Sequence, residues 1–263
     1  MHPILFELGG LTVYSYGFMI ALGVVAAVTY MFFQGRKDVG LTFDQANSLF
    51  LIIFLAAFLG GKVFLFFENP SLYTSQPGKL LAGRGFVFYG SFLFAVPAML
   101  WFFRKHKLNT YKMLDVMAVV TCIVHMFGRI GCFLAGCCYG KPTDGPLGVT
   151  FTDAACQAPL NQPLVPTQLL EAGYILIVML VLLLIKSKFQ RFYGQLFLLY
   201  LMLYAAGRSV LEIFRGDVAR GFVIDGILSH SQFVALLVVI AAAYVYSRWS
   251  KKNPIVKNRQ RYP

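Results

Sequence analysis

The sequence predicts an all-α, polytopic integral membrane protein that forms a single transmembrane domain over residues 1–263. Its composition is the first reason, because 58% of the residues are hydrophobic and only 13% are charged. The second is the recurrence of apolar runs about 20 residues long, and the third is the uneven placement of Lys and Arg between them. Together these observations exclude an ordinary soluble domain.

Seven apolar runs are long enough to cross a bilayer. A hydrocarbon core about 30 Å thick needs about 20 apolar residues in helical form. The predicted spans are residues 13–34, 46–67, 85–103, 113–134, 167–185, 194–212 and 228–247.

The basic residues predict how these spans are oriented. If the N-terminus is outside, the inner loops and the basic tail 248–263 carry 15 Lys and Arg, and the outer segments carry 5. Because Lys and Arg concentrate in cytoplasmic loops, we expect a periplasmic N-terminus and a cytoplasmic C-terminus. The net charge of +12 then reflects orientation and attraction to anionic lipids rather than to nucleic acid.

Arg129 lies at the end of the fourth run, within HMFGRIGCFLAGCCYG at 125–140. An arginine at membrane depth costs about 2.5–3.5 kcal/mol on insertion scales, so it is normally paired, hydrated or functional. Gly131 and the neighbouring glycines allow a close approach of backbone or ligand. A site with an arginine and flanking glycines could bind a lipid phosphate. The outer loop 135–166 follows directly, and we interpret it as a roof over the site.

Other charges lie in the late spans. Glu171 opens the fifth span. Arg208, Glu212 and Arg215 are spaced so that all three can share one helix face. They could form an internal salt-bridge ladder that only ties helices together. The surplus of basic over acidic side chains instead favours an anionic ligand, with arginine suited to phosphate.

Candidate proton-handling residues are a histidine and two tyrosines. His125 precedes Arg129 by one helical turn and so shares its face. It is either a hydrogen-bonded packing residue or a base, since histidine titrates nearest neutrality. Tyr16 and Tyr89 place hydroxyls near the outer ends of spans, where tyrosines also form interfacial belts.

The five cysteines show no spaced pairs of the kind that zinc sites usually have, so no metal site is predicted. In an oxidising periplasm Cys137 or Cys138 could form a disulfide with Cys156. Cys122 and Cys132 are interpreted as small apolar packing residues. A catalytic cysteine has no evident His–Asp partner in the sequence.

Collinear motifs along nearly the whole chain resemble bacterial prolipoprotein diacylglyceryl transferases. The motifs are VYSYGFM at 13–19, LGGKV at 59–63, GRGFVFYGSF at 83–92, FGRIGCFLAGCCYG at 127–140, PTQLLEA at 166–172 and GRSVLEIFRGD at 207–217. The resemblance implies transfer of diacylglycerol from phosphatidylglycerol to the lipobox cysteine of a preprolipoprotein, in the bacterial inner membrane and without a metal or organic cofactor.

The resemblance also implies roles for individual residues. Arg129 matches the family's phosphatidylglycerol-contacting arginine, and Glu171 the glutamate after its Pro-Ser-Gln type motif. Arg208 and Glu212 match an essential charged pair, and Tyr16 an important tyrosine of the first helix. We expect phosphatidylglycerol to be bound by Arg129, Glu171, Gly131 and Arg215. The expected catalytic residues are Arg208, Glu212, Tyr16, Tyr89 and His125.

The chain departs from the family pattern at positions expected to take part in proton transfer. Tyr89-Gly90-Ser91-Phe92 stands where most members have His-Gly-Gly-Leu, Val165 replaces a histidine, and the family's Gly-Asn-Phe and Asn-Gly-Glu are Gly-Cys-Phe and Ala-Gly-Cys here. Tyr89 or His125 could accept the thiol proton, or Glu212 could position either one. Because tyrosine is a poor base near neutrality, we expect His125 to accept the proton and Tyr89 to orient the lipid or thiol through its hydroxyl. A paralogue with another lipid chemistry, a lipid transporter or flippase, and a non-catalytic scaffold remain alternatives.

Overall fold

The computed structural model describes residues 2–82, 87–216, 222–224, 228–252 and 254–255. In the described chain the helices are α1 Ser15–Val39, α2 Phe43–Glu68, α3 Pro70–Ser75, α4 Pro77–Ala82, α5 Phe88–Lys105, α6 Thr110–Ala135, α7 Thr167–Leu184, α8 Gln195–Glu212 and α9 His230–Lys252. A π-helical turn, Ile185–Phe189, continues α7. Most of the basic tail predicted at 248–263 lies outside the described residues, which include only 248–252 and 254–255 of it.

Three short antiparallel pairs accompany the helices. They are β1 Ile4–Leu8 with β2 Leu11–Tyr14, β3 Val149–Thr150 with β4 Pro163–Leu164, and β5 Phe222–Ile224 with β6 Leu228–Ser229. None of these pairs forms the main hydrophobic core, which is built from helices. The predicted all-α class therefore describes the fold, with hairpins confined to connections.

Five helices are long and apolar enough to cross a membrane. They are Ser15–Val39, Phe43–Glu68, Thr110–Ala135, Thr167–Phe189 and His230–Lys252. The other two predicted spans correspond to α5 and α8, each 18 residues long. At 1.5 Å per residue such a helix is about 27 Å long, slightly less than the hydrocarbon core. The protein is thus a helical membrane protein, and the count of seven spans stays a prediction.

The chain divides into two compact units: a large unit of residues 1–30 and 114–263, and a small unit of residues 31–113. In the small unit, α2 and α5 cross at two glycines. A Cβ atom on Gly60 would lie 2.2 Å from the carbonyl oxygen of Gly90. The crossing therefore requires glycine on both helices, which is how small residues let membrane helices approach closely.

The core of the large unit is formed by α6, α7 and α8. Its buried residues include Cys122, Ile175, Val178, Leu182 and Leu196, all at most 3% exposed. Ile175, Val178 and Leu182 lie at helical spacing, so they line one face of α7.

Asp115 fixes the start of α8. Its carboxylate accepts hydrogen bonds from the backbone N–H groups of Gly194, at 2.8 Å, and Phe197, at 3.1 Å. It also accepts one from the Gln190 side chain, at 2.7 Å. A carboxylate at a helix N-terminus satisfies otherwise unpaired N–H groups and favours the positive end of the helix dipole. This contact ties α8 to α6.

The predicted outer loop 135–166 is an ordered structure. Phe151, Ala158 and Leu164 form a small buried core, against which Phe133 and Tyr139 pack. The β3–β4 pair closes this core. Its position as a roof over a substrate stays a prediction.

Candidate active site

A buried charged cluster lies where α6 meets the first turn of α7. His125 and Arg129 come from successive turns of α6, and Glu171 comes from α7. Arg129 Nε lies 3.2 Å from Glu171 Oε2, and His125 Nε2 lies 3.3 Å from Glu171 Oε1. The Glu171 side chain is only 2% exposed. The cluster confirms that His125 and Arg129 share a face.

The hydrogen bonding of His125 makes its Nε2 atom a candidate proton acceptor. Arg129 Nε donates to His125 Nε2 at 3.3 Å, so this nitrogen is an acceptor in the neutral ring. Glu171 Oε1 has no hydrogen-bond partner among the described residues. If Nε2 takes up a proton, it becomes a donor to that oxygen, which lies 3.3 Å away. A carboxylate placed in this way stabilises the imidazolium that a general base forms.

This arrangement corrects one detail of the sequence reasoning. Glu212 was expected to position the base, but the carboxylate beside His125 is that of Glu171. Glu212 instead pairs with Arg208. The reason is topological: the α6–α7 contact selects the partner of His125, and sequence spacing along α8 does not report that contact.

Arg208 and Glu212 form an ion pair along α8. Arg208 Nη2 lies 2.6 Å from Glu212 Oε2, and the side chains are 12% and 9% exposed. The other terminal nitrogen, Arg208 Nη1, is buried and has no hydrogen-bond partner within the described part of the chain. A buried donor without a partner is costly, so this nitrogen is suited to receive an anionic ligand. Arg208 also interacts electrostatically with Glu171.

Tyr204 is a site residue that sequence reasoning missed. Its hydroxyl interacts electrostatically with Arg129, and its ring centroid lies 5.0 Å from that of His125. Tyr200 stacks on it at 5.8 Å. The signal was available, because Tyr204 precedes Arg208 by one helical turn and therefore lies on the same face.

Tyr16 and Gly131 lie at the approach of α1 to α6. A Cβ atom on Gly131 would lie 3.2 Å from Tyr16 Cδ2 and 3.3 Å from the Tyr16 carbonyl oxygen. The absence of a side chain on Gly131 therefore lets the two backbones come close. Tyr16 interacts electrostatically with Arg129, which places it beside the charged cluster.

Arg215 does not lie on the predicted helix face. α8 ends at Glu212, so the face predicted for three residues holds only Arg208 and Glu212. The chain then turns, and Arg215 forms a β-bridge with Gly140 of the outer loop. The Arg215 side chain, in a residue only 7% exposed, interacts electrostatically with the Cys138 thiol.

Three cysteines lie together next to this arginine. The sulfur atoms of Cys132, Cys137 and Cys138 are all within 4.8 Å of one another. Hydrogen bonds from the other two thiols and the charge of Arg215 lower the pKa of Cys138. The same contacts with Cys132 and Cys138, together with burial, raise the pKa of Cys137. Cys132 is therefore part of a polar cluster and not the simple apolar packing residue that was expected.

The disulfide considered from the sequence is not formed, because all five cysteines are free thiols. Cys156 lies against Gly136: a Cβ atom there would be 2.9 Å from its sulfur. Burial and the nearby Asp153 raise the pKa of Cys156.

Tyr89 belongs to the small unit. It lies in the first turn of α5 and is 66% exposed. Residues 83–86 of its motif are outside the described residues. The predicted contribution of Tyr89 to the site therefore stays a prediction.

The fold and the cluster define a helical membrane protein with a buried cluster of arginines, acidic residues and a histidine. Family comparison identifies the class further. Residues 3–248 match the family model described as prolipoprotein diacylglyceryl transferase, and the chain belongs to that family of transferases.

Named relatives support the assignment. The chain is similar to the phosphatidylglycerol–prolipoprotein diacylglyceryl transferase of Clostridium tetani, with 38% identity over 94% of this chain and 97% of the relative. A second enzyme of that name from Clostridium perfringens is 32% identical over 94% and 95%. The one from Dehalococcoides mccartyi is 32% identical over 97% of both chains.

Proposed function

We propose that this protein transfers the diacylglyceryl group of phosphatidylglycerol to the thiol of the lipobox cysteine in a preprolipoprotein. A thioether S–C bond forms at the glycerol carbon, and the C–O bond to phosphate breaks. Glycerol phosphate leaves with the negative charge, and the thiol proton passes to a base. The family and the names of the relatives support this reaction.

The observation that carries the proposal is the buried Nη1 atom of Arg208, which has no hydrogen-bond partner among the described residues. Arg208 and Arg129 both interact electrostatically with Glu171. The leaving phosphate gains charge as the C–O bond breaks, so cations fixed around it lower the barrier. Glu212 holds Arg208 at 2.6 Å through the other terminal nitrogen, Nη2, so Nη1 is the nitrogen proposed to contact the phosphate. Arg208 and Arg129 would bind the phosphate, with Glu171 setting the orientation of Arg129.

His125 is the proposed proton acceptor. The thiolate, not the thiol, is the nucleophile, so removal of the proton is part of the reaction. On taking the proton, Nε2 would gain the Glu171 Oε1 acceptor at 3.3 Å. Tyr16 is proposed to orient the lipid from the α1 side, and Tyr89 to orient lipid or thiol through its hydroxyl.

The wider setting is proposed along with the reaction. We place the protein in the bacterial inner membrane with seven spans, the N-terminus in the periplasm and the loop 135–166 over the site. Membrane lipids and the signal peptides of preprolipoproteins are then its partners. The excess of Lys and Arg on one side supports this orientation.

Detergent-purified protein tests the proposal directly. A lipobox peptide is incubated with phosphatidylglycerol, and mass spectrometry should show addition of one diacylglyceryl group at the cysteine. A peptide with serine in place of that cysteine serves as the control and should stay unmodified. Lipid binding without any modified peptide would contradict the proposed reaction and favour transport.

A further inference from the structure

The three clustered cysteines come from two neighbouring pieces of backbone that the fold holds in place. Cys132 lies in the last turns of α6, while Cys137 and Cys138 follow a turn at Gly136, where φ is +68°. Cys138 itself has φ +59°. A non-glycine residue in this region is strained and persists only where its surroundings impose it.

Helix α7 imposes that conformation. Thr167 Oγ1 donates to the carbonyl of Cys138 at 2.9 Å. Gln168 Nε2 donates to the carbonyl of Cys137 at 2.7 Å. Both donors are at most 2% exposed. The backbone of the cysteine pair is therefore fixed before any ligand binds.

The composition of the cluster selects a thiophilic ion. A tetrahedral zinc ion bound by sulfur at about 2.3 Å requires sulfur atoms about 3.8 Å apart. The three sulfurs already lie within 4.8 Å of one another, and no carboxylate or imidazole joins the group among the described residues. Hard ions such as Mg²⁺ and Ca²⁺ require oxygen ligands. Zinc accepts three thiolates readily.

The charge around the cluster suits a zinc–trithiolate group, whose net charge is −1. Arg215 forms a β-bridge with Gly140, two residues after Cys138, and interacts electrostatically with Cys138. Arg129 interacts electrostatically with Cys132 and Cys138. These cations would offset the negative charge, as groups around a metal site commonly do.

We propose that Cys132, Cys137 and Cys138 bind one zinc ion through their sulfur atoms and leave its fourth tetrahedral position open. Three protein ligands with an open position are typical of catalytic zinc sites, whereas structural sites are closed by four. Either water or a substrate ligand could occupy the open position.

The acceptor thiol is the substrate ligand that fits, and this part of the inference rests on the proposed function. A thiol that binds zinc is deprotonated outright. Its proton would pass to His125 or solvent, the zinc-bound sulfur would attack the glycerol carbon, and glycerol phosphate would leave. Zinc stays Zn²⁺ throughout. The site would thus supply the thiolate in a chain that has Tyr89 where most relatives of its family carry a histidine.

Metal analysis of the full-length protein, purified in detergent under reducing conditions with zinc present, tests the site. We expect about one zinc per chain. Substitution by cobalt should give near-ultraviolet absorption from sulfur-to-cobalt charge transfer. Cys132→Ser, Cys137→Ser and Cys138→Ser should each reduce bound zinc to background, while Cys156→Ser, close by but outside the cluster, should keep it.

Several results would overturn the site. They are absence of zinc in well-folded protein, binding of copper in its place, equal loss of zinc in Cys156→Ser, and a disulfide within the cluster in freshly isolated, unreduced protein. Circular dichroism and size-exclusion profiles of each variant separate lost binding from lost folding.

The cobalt-substituted protein also tests the fourth ligand without catalysis. A lipobox peptide, added without phosphatidylglycerol, should shift the visible absorption of cobalt, and the serine peptide should not. Peptide modification with no such shift would overturn thiol ligation and leave the proposed function intact. A shift with no modification under any lipid condition would instead contradict the proposed function and retain the site.

Discussion

A double-mutant cycle at Arg208 and Glu212 tests whether this pair binds phosphate or is only a structural salt bridge. Arg208→Ala removes a buried cation whose Nη1 atom has no protein hydrogen-bond partner in the described chain. Loss of one donor to developing negative charge costs about 2.7–4 kcal/mol of transition-state stabilisation, or about 10²–10³-fold in kcat. We expect that loss for Arg208→Ala.

Glu212→Ala should be less damaging. It leaves the Arg208 charge in place and removes only the carboxylate that holds it at 2.6 Å. In the double variant the arginine is already absent, so loss of Glu212 should add little. The coupling between contacting residues is typically 0.5–3 kcal/mol, so the double variant should be close to Arg208→Ala alone.

The assay is initial-rate lipidation of a lipobox peptide, normalised to folded protein by size-exclusion. Arg248→Ala is the matched control, because Arg248 also contacts a residue one turn away on a helix, Tyr244, at 3.0 Å. It should keep wild-type activity. Strictly additive losses would show that Arg208 and Glu212 do not act as one unit. Reduced folded yield with unchanged specific activity in both single variants would refute phosphate binding and leave a structural salt bridge.

Three further predictions use the same assay or measure stability. Arg129→Ala should abolish transfer with membrane insertion intact, and Arg129→Lys should rescue only part of it because the planar fork is lost; near-wild-type activity in Arg129→Ala would contradict the assignment. His125→Gln should lower kcat by about 10²–10⁴-fold, whereas Tyr89→Phe should reduce the rate only moderately; wild-type kcat in His125→Gln would make His125 a packing residue. Gly60→Ala should lower thermal stability, since its Cβ would lie 2.2 Å from the Gly90 carbonyl oxygen and overpacking costs about 1–3 kcal/mol; an unchanged melting temperature would show that α2 and α5 can separate.

Helical periodicity in the sequence predicted much of the fold and part of the site. It placed His125 and Arg129 on one face, and the predicted span 167–185 begins where α7 begins, at Thr167. Spacing of four residues also anticipated the Arg208–Glu212 pair. These features depend on contacts within one helix, which sequence reports directly.

The remaining parts of the site depend on contacts between elements. Glu171 becomes the partner of His125 only when α7 packs on α6. Arg215 leaves the helix because α8 stops at Glu212, a stop that Gly216 just beyond it could have suggested. The cysteine cluster required a left-handed turn at Gly136 and Cys138, which the spacing of the cysteines does not reveal.

The carboxylate of Asp115 has a consequence for altering substrate preference. It fixes the start of α8 at Gly194, and Arg208 lies fourteen residues further on, about 21 Å along the helix axis. A small rotation or slide of α8 at this distant anchor would move the arginine relative to its lipid headgroup. Libraries aimed at other anionic lipids should therefore include positions around Asp115 and Gln190 as well as the residues that line the headgroup.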